Sequence, residues 1–266
     1  MSLISNLYSY REFLKTSILK DFRGKYKKSF LGVLWSFLNP LFQLLIYSLV
    51  FPYIMGNRID NYTVYLMVGL MPWTFFNNTI IQSAACIVTN GGIIKKVFFP
   101  REILPISTLT SNLVNFLITQ VIVLLSLIFS GIGITKAIIF FPIIVLLQYI
   151  LQMGFAFIFS AITVYIRDVE YIINIFMMLM FYLCPILYEP SMIPENLLRF
   201  FKLNPMFNII IFYRQILFEG VVPDFMAIVK MFFVCVFVLL FGYFVFNHLE
   251  KRFAEELWWY EIYIFN

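Results

Sequence analysis

The sequence predicts an all-α integral membrane protein, and three observations carry that prediction. Of 266 residues, 62% are apolar or aromatic and only 12% are charged, about half the charged share of a soluble domain. Folded chains near this size bury only about three-quarters of their surface, so this much apolar side chain cannot all be hidden from water. Long uncharged stretches run over 29–57, 61–94, 103–135, 137–166, 171–188 and 231–249. None shows the alternation of a barrel strand, and lipid offers no partner for open backbone groups, so each is read as a helix. A water-soluble enzyme and a disordered chain are both excluded.

Six transmembrane helices are placed at 32–54, 63–87, 103–130, 138–164, 171–188 and 225–247, lengths close to the roughly 20 residues that cross hydrocarbon. Starting inside, the cytoplasmic segments are 1–31, 88–102, 165–170 and 248–266. They hold Arg11, Lys15, Lys20, Arg23, Lys25, Lys27, Lys28, Lys95, Lys96, Arg101, Arg167, Lys251 and Arg252. Only Arg58, Lys136, Arg199, Lys202, Arg214 and Lys230 remain elsewhere. This positive-inside bias predicts a multi-pass protein of the cell inner (cytoplasmic) membrane with both termini cytoplasmic. The basic start is too long and too amphipathic for a cleaved signal. Lys230 falls inside the sixth helix and must snorkel outward or face protein. The net charge of +5 follows from this topology and does not point to nucleic acid, because the basic residues are not gathered on a soluble face.

Three segments outside the spans have patterns of their own. Leu7, Tyr10, Leu14, Ile18, Phe22 and Tyr26 recur every three or four residues with basic residues between them, predicting an amphipathic helix over 3–28 in the headgroup plane. A plain basic topology anchor would use the same charges. Segment 189–224 is broken by Pro190, Pro194, Pro205 and Pro223, and its apolar stretches 197–201 and 207–217 are too short to cross. Two short helices that dip into the outer leaflet and return fit it better than a soluble loop. Segment 88–102 reads VTNGGIIKKVFFPRE. Asn90, Gly91 and Gly92 are turn residues, and Ile93 to Phe99 can form a short helix ended by Pro100. That helix pairs Ile94, Val97 and Phe98 with Lys95, Lys96 and Arg101, suiting a groove on a soluble partner or an ordinary interfacial loop. Asp168, at the turn between spans four and five, is read as the cap of the helix that follows. Pro40, Pro72 and Pro185 lie within or at the ends of spans and permit kinks. Residues 1–266 read as one domain.

No catalytic chemistry is visible. Cys86, Cys184 and Cys235 sit in apolar runs without CxxC spacing and read as small core residues, not as a disulfide or metal site. The lone His248 reads as a polar residue at a membrane boundary. There is no GxxxxGK(S/T), HExxH or GxSxG, and no charge near the centre of the first five spans, so neither nucleotide binding nor an ion-coupled relay is expected in this chain. Transport against a gradient would need energy from a partner.

RGKYKKSFLGVLWSFLNPLFQLLIYSLVF (23–51), YLMVGLMPWTFFNNTI (65–80), NGGIIKKVFFPREILPIS (90–107), YIRDVEYI (165–172), PILYEPSMIPE (185–195), LNPM (203–206) and EKRFAE (250–255) follow one another in order. This collinear set resembles the permease subunits of ABC-2-type polysaccharide exporters, which export lipid-linked O-antigen, teichoic acid or related glycans. The tail 258–266 has no counterpart. The resemblance implies a homodimer of six-helix subunits driven by two copies of a separate ABC ATPase, which binds the ATP and Mg. No cofactor or metal would belong to this chain. Residues 1–31 match the cytoplasmic interface helix and 189–224 the re-entrant gate helices. Segment 88–102 matches the coupling helix, placing Asn90, Gly91, Gly92, Ile93, Ile94, Lys95, Lys96, Val97, Phe98, Phe99 and Arg101 against the ATPase. The path would run between subunits, lined mainly by the first and fifth spans.

A hydrophilic glycan on undecaprenyl diphosphate needs an enclosed route, because sugars lose their hydrogen bonds in hydrocarbon. Aromatic rings can pass sugar faces through weak repeated contacts. The candidates are Phe37, Phe42, Tyr47 and Phe51 on the first span, and Phe176, Phe181, Tyr182 and Tyr188 on the fifth, with simple packing as the alternative. Arg23, Lys25, Lys27 and Lys28 are placed to attract the diphosphate, with the anionic headgroups of membrane lipids as the alternative that the same charges favour somewhat more. The expected function is thus the permease of an ATP-driven exporter of lipid-linked polysaccharide. The alternatives are an ABC-2 exporter of small hydrophobic compounds or a membrane-embedded glycosyl- or acyltransferase.

Overall fold

The computed structural model describes residues 6, 8–24, 34–55 and 59–258, except for the side chains at 23, 36, 37, 40, 48 and 51–55. Among the described residues every regular element is helical. In chain order these are α1 (Arg11–Gly24), α2 (Trp35–Met55), α3 (Tyr62–Thr89), the single turn α4 (Gly91–Ile94) and α5 (Ile103–Phe129). Then come α6 (Phe141–Tyr165), α7 (Val169–Tyr182), α8 (Glu195–Phe201), α9 (Pro205–Arg214) and α10 (Phe225–Leu249). The stretches Tyr62–Thr89, Ile103–Phe129, Lys136–Tyr165 and Phe225–Trp258 are long and apolar enough to cross a membrane. The protein is a multi-pass helical membrane protein.

α3 is the hub. It packs on α2, α5, α6, α7 and α9, and 78% of its most apolar window is buried, against 22% for the stretch that contains α10. A helix apolar all round belongs inside, while one that shows apolar side chains outward faces lipid. α10 accordingly exposes Phe233, Phe237, Leu240, Phe241 and Phe244. Its other side lies closest to α6, and the reason is a pair of glycines. A Cβ added at Gly154 would come within 2.5 Å of the Val238 carbonyl oxygen, and one at Gly242 would strike the carbonyl of Gly154. Small residues at one level let two backbones touch where lipid supplies no hydrophobic force between helices. α6 is tied to α3 by Gln148, whose buried Nε2 donates to the Pro72 carbonyl at 2.8 Å.

The fifth predicted span differs most. α7 has 14 residues, about 21 Å of helix against a hydrocarbon core of about 30 Å. It stops at Tyr182 instead of reaching 188. Pro185 disfavours helical geometry at Cys184, and the chain from 183 to 188 runs as a non-helical elbow. Its carbonyls find side-chain partners: Tyr62 Oη donates to Leu187 O at 2.9 Å, Tyr65 Oη to Tyr188 O at 2.8 Å, and Arg214 Nη2 to Ile186 O at 2.8 Å.

The expected short pair in 189–224 is present as α8 and α9. α9 starts on the Asn204 cap, whose Oδ1 accepts from Met206 N, and it buries Phe207, Ile210, Tyr213 and Arg214. It continues through a π turn, Gln215–Glu219, and ends at Gly220 with φ 69°. Asp168 stands at the start of α7, yet its side chain makes no capping bond, which corrects the expectation of a side-chain cap. Asp224 does cap, its Oδ2 accepting from Ala227 N at 2.9 Å at the start of α10. Lys230 is exposed on that helix.

Gly154→Leu is expected to force α6 and α10 apart and to cost about 1–3 kcal/mol by overpacking. Gly92→Ala, which meets nothing within 4 Å, should leave stability unchanged. Thermal unfolding of the detergent-solubilised protein, followed by size exclusion, checks the contrast.

Candidate functional site

At the N-terminal end of the bundle, α1 packs along α5, and polar ties join this region to α5 and to the α3–α5 connection. Asn6 Nδ2 donates to Glu102 Oε1 at 2.8 Å, Ser107 Oγ donates to Asp21 Oδ2 at 3.0 Å, and Lys20 Nζ donates to Asn90 Oδ1 at 2.8 Å. The Phe13 and Phe99 rings lie 4.8 Å apart. Tyr10, Phe13 and Leu14 pack against a second apolar cluster that includes Ile87, Ile94, Phe99, Phe157, Phe246 and Phe253. So α1 is held against the bundle as well as being amphipathic. Its periodicity found Tyr10 and Leu14 but missed Phe13 and Asp21. Leu7 and Tyr26 lie outside the described residues.

This cluster determines the shape of the connection from α3 to α5. The predicted helix from Ile93 to Phe99 is shorter than expected: regular helix covers only Gly91–Ile94, with turns continuing to Val97. Ile94 and Phe99 anchor in the bundle, Phe99 at 5% exposure, whereas Phe98 stands 90% exposed beside exposed Val97. The expected apolar face is therefore split. Ile94 points inward, and Val97 and Phe98 project outward. Lys96 is exposed, Lys95 and Arg101 are half-buried, and Gly92 and Ile93 are exposed. A small concavity of about 210 Å³ is lined by Ile94, Lys95, Lys96, Val97, Phe98, Phe99 and Arg101. Arg101 Nη1 also donates to the Glu250 carbonyl at 2.6 Å, and Tyr165 Oη to the Leu249 carbonyl at 2.7 Å. These two bonds satisfy orphan carbonyls at the end of α10.

Alongside α3, α2 and α7 meet at Tyr47 and Phe181, whose ring centroids are 6.2 Å apart. Phe181 also packs on Trp73 at 5.9 Å and on Tyr182 at 5.3 Å. Of the aromatic candidates, Phe42, Phe176 and Tyr182 are exposed. Tyr47, Phe181 and Tyr188 are partly buried against the core, and Tyr188 Oη donates to the Tyr182 carbonyl. Phe176 borders a cavity of about 460 Å³, whose wall includes Trp73, Phe76, Phe155, Phe159 and Phe200. The side chains of Phe37 and Phe51 lie outside the described residues. So do Lys25, Lys27 and Lys28 and the side chain of Arg23, the headgroup candidates.

Among the described residues no group of His, Cys, Asp and Glu could hold a metal ion. Cys86, Cys184 and Cys235 are free and buried, as small core residues should be, and His248 is exposed at the end of α10. The geometry is that of a membrane helical bundle with a projection at Val97 and Phe98 and an apolar lateral face. The chain belongs to the ABC-2 type transporter family, which it matches over residues 12–218, from α1 to the π turn after α9. It is a transporter membrane subunit and not an enzyme. It is 32% identical over 257 residues to the O-antigen export system permease protein RfbA of Myxococcus xanthus, covering 96% of this chain and 99% of that one. RfbA of Klebsiella pneumoniae is 35% identical over 239 residues, covering 90% of this chain and 92% of that one. The polysialic acid transport protein KpsM of Escherichia coli is 26% identical over 213 residues, 77% of this chain and 81% of its own length.

Phe99→Ala should cost about 3–5 kcal/mol as a buried aromatic truncation, because it empties the socket against Phe13. Phe98→Ala should change stability by no more than about 0.5 kcal/mol. Melting curves of the two variants decide this.

Proposed function

We propose that this chain is the permease subunit of an ATP-driven exporter that moves a lipid-linked polysaccharide, such as an undecaprenyl-diphosphate-linked O-antigen or teichoic acid, across the cytoplasmic membrane. The observation that carries the reading is end-to-end similarity to permeases named for O-antigen export, which leaves only a few residues of this chain unmatched. In this reading the chain crosses six times. α2 and α7 complete the four longer crossings, and α8 and α9 form a re-entrant pair at the outer surface.

Two copies would face each other across the path. The apolar lateral face supports this arrangement: α2 exposes Phe42, Leu45, Ile46 and Leu49, and α7 exposes Ile172, Ile175, Phe176 and Tyr182. The tyrosines and phenylalanines of that face offer the glycan weak, repeated contacts. Arg23, Lys25, Lys27 and Lys28 would gather the diphosphate at the inner headgroup layer.

The projection at Val97 and Phe98 would dock in an ABC ATPase, one copy beneath each permease. Its form supports the role. An exposed aromatic knob held by buried neighbours transmits a push without unfolding, because Ile94 and Phe99 tie it to the bundle core. Lys95, Lys96 and Arg101 would add charge contacts at the rim, which set orientation and association rate more than affinity.

Lys95→Glu combined with Lys96→Glu, and separately Phe98→Asp, should lower glycan-stimulated ATP hydrolysis and export about tenfold or more, the loss expected when an interface anchor is truncated. Reconstitution of purified permease and ATPase in vesicles with lipid-linked glycan measures both rates. Normal export and normal ATPase pull-down by both variants would remove the docking assignment. ATPase stimulation by hydrophobic drugs but not by glycan would remove the polysaccharide substrate.

A further inference from the structure

Arg214 ends α9 within the apolar run IIIFYRQILF, and only 2% of it is exposed. A buried guanidinium is costly unless hydrogen bonds replace its water. Here they come from a stretch of chain with no helix of its own. Nη2 donates to Ile186 O at 2.8 Å and Nη1 reaches Tyr188 O at 3.4 Å. The guanidinium carbon sits 3.5 Å from the centre of the Tyr65 ring, a cation–π contact in a dry setting. Tyr65 and Tyr62 donate their own hydroxyls to the carbonyls of Tyr188 and Leu187.

Three successive elbow carbonyls, at 186, 187 and 188, are thus held by side chains of α3 and α9. Gly69 leaves the room required, since a Cβ there would lie 3.1 Å from Nη2.

We infer that Arg214 is a positioning residue for transport: it pins the 183–188 elbow to α3 and so holds the outer end of α7 and the α8–α9 pair in one working geometry. This rests on the reading above, in which α7 lines the path. The elbow makes no helical ladder; a few turn bonds and the burial of Cys184, Ile186 and Leu187 seat it in the core, and these side-chain bonds tie its last three carbonyls to α3 and α9. One cation joins three elements at once: α3 through the Tyr65 ring, α9 through its own backbone, and the outward continuation of α7 through the elbow carbonyls. Lysine keeps the charge but has neither the planar fork for two carbonyls nor the flat face for the ring.

The elbow carries its own reporter. Cys184 is fully buried within it, where Asn204 Nδ2 donates to its Sγ. Cys86 and Cys235 are buried elsewhere in the bundle and serve as internal controls. Native permease–ATPase complex in vesicles is treated with a small maleimide, and labelling at each cysteine is quantified by mass spectrometry. Glycan exported per ATP hydrolysed is measured on the same preparations.

Arg214→Lys is expected to raise Cys184 labelling about tenfold, the shift that follows from losing one charge-assisted hydrogen bond. Cys86 and Cys235 should stay unlabelled, ATP hydrolysis should persist, and glycan moved per ATP should fall several-fold. Tyr65→Phe keeps the ring and loses one carbonyl bond, so it should fall between wild type and Arg214→Lys on both readouts. It also keeps the question decidable if Arg214→Lys does not fold.

Simultaneous opening of all three cysteines would reduce Arg214 to a general fold-holding residue and overturn the inference. So would an unchanged Cys184 rate, or an opened elbow with normal export per ATP. A wild-type complex that moves no glycan defeats the proposed substrate and not the elbow, which Cys184 labelling then decides alone.

Discussion

Every carbonyl and amide in the hydrocarbon region must find its partner within the protein, and this chain is organised around that demand. Where the backbone stays helical the demand is met locally, residue by residue. Where it cannot, as at the elbow that interrupts the path from α7 to α8, side chains have to reach in from other helices. Tyr62, Tyr65 and Arg214 do so. Part of the cost of burying the guanidinium is offset by its bond to the Ile186 carbonyl, which gains a partner in return.

The same logic explains why α3 lies at the centre. It gives its tyrosines to the elbow, the Pro72 carbonyl to Gln148 on α6 and the Phe75 ring to Phe116 on α5, at 4.9 Å between centroids. α10, by contrast, makes its main contact with α6, where Gly154 and Gly242 remove the side chains that would hold the backbones apart. The rest of α10 shows phenylalanine to its surroundings. The interior is thus built from polar ties and close backbone approach as well as apolar packing, as expected when lipid is as apolar as the core.

At the end of the bundle where α1 packs, the apolar cluster around Phe99, Phe246 and Phe253 joins α1, the α3–α5 connection and the end of α10. At the other end the elbow links α7 to the α8–α9 pair. The hub helix α3 spans the distance between the two.

Composition and charge placement alone determined the class, the four longer crossings and the two short helices after Pro190. Each of these depends on local pattern: run length, proline and glycine position, and the sidedness of Lys and Arg. The aromatic content of α2 and α7 was equally legible, and order along the chain disclosed the family. Tertiary packing alone decided which aromatics face outward, that Ile94 and Phe98 lie on opposite sides of one loop, and that α7 stops at Tyr182. Nothing local distinguishes Arg214 from a boundary cation or Gly154 from any helix glycine. Their roles come from carbonyls and rings far away in sequence, such as Ile186, Tyr65 and Val238. Patterns along a chain report what a residue prefers, whereas only the folded arrangement reports what it touches.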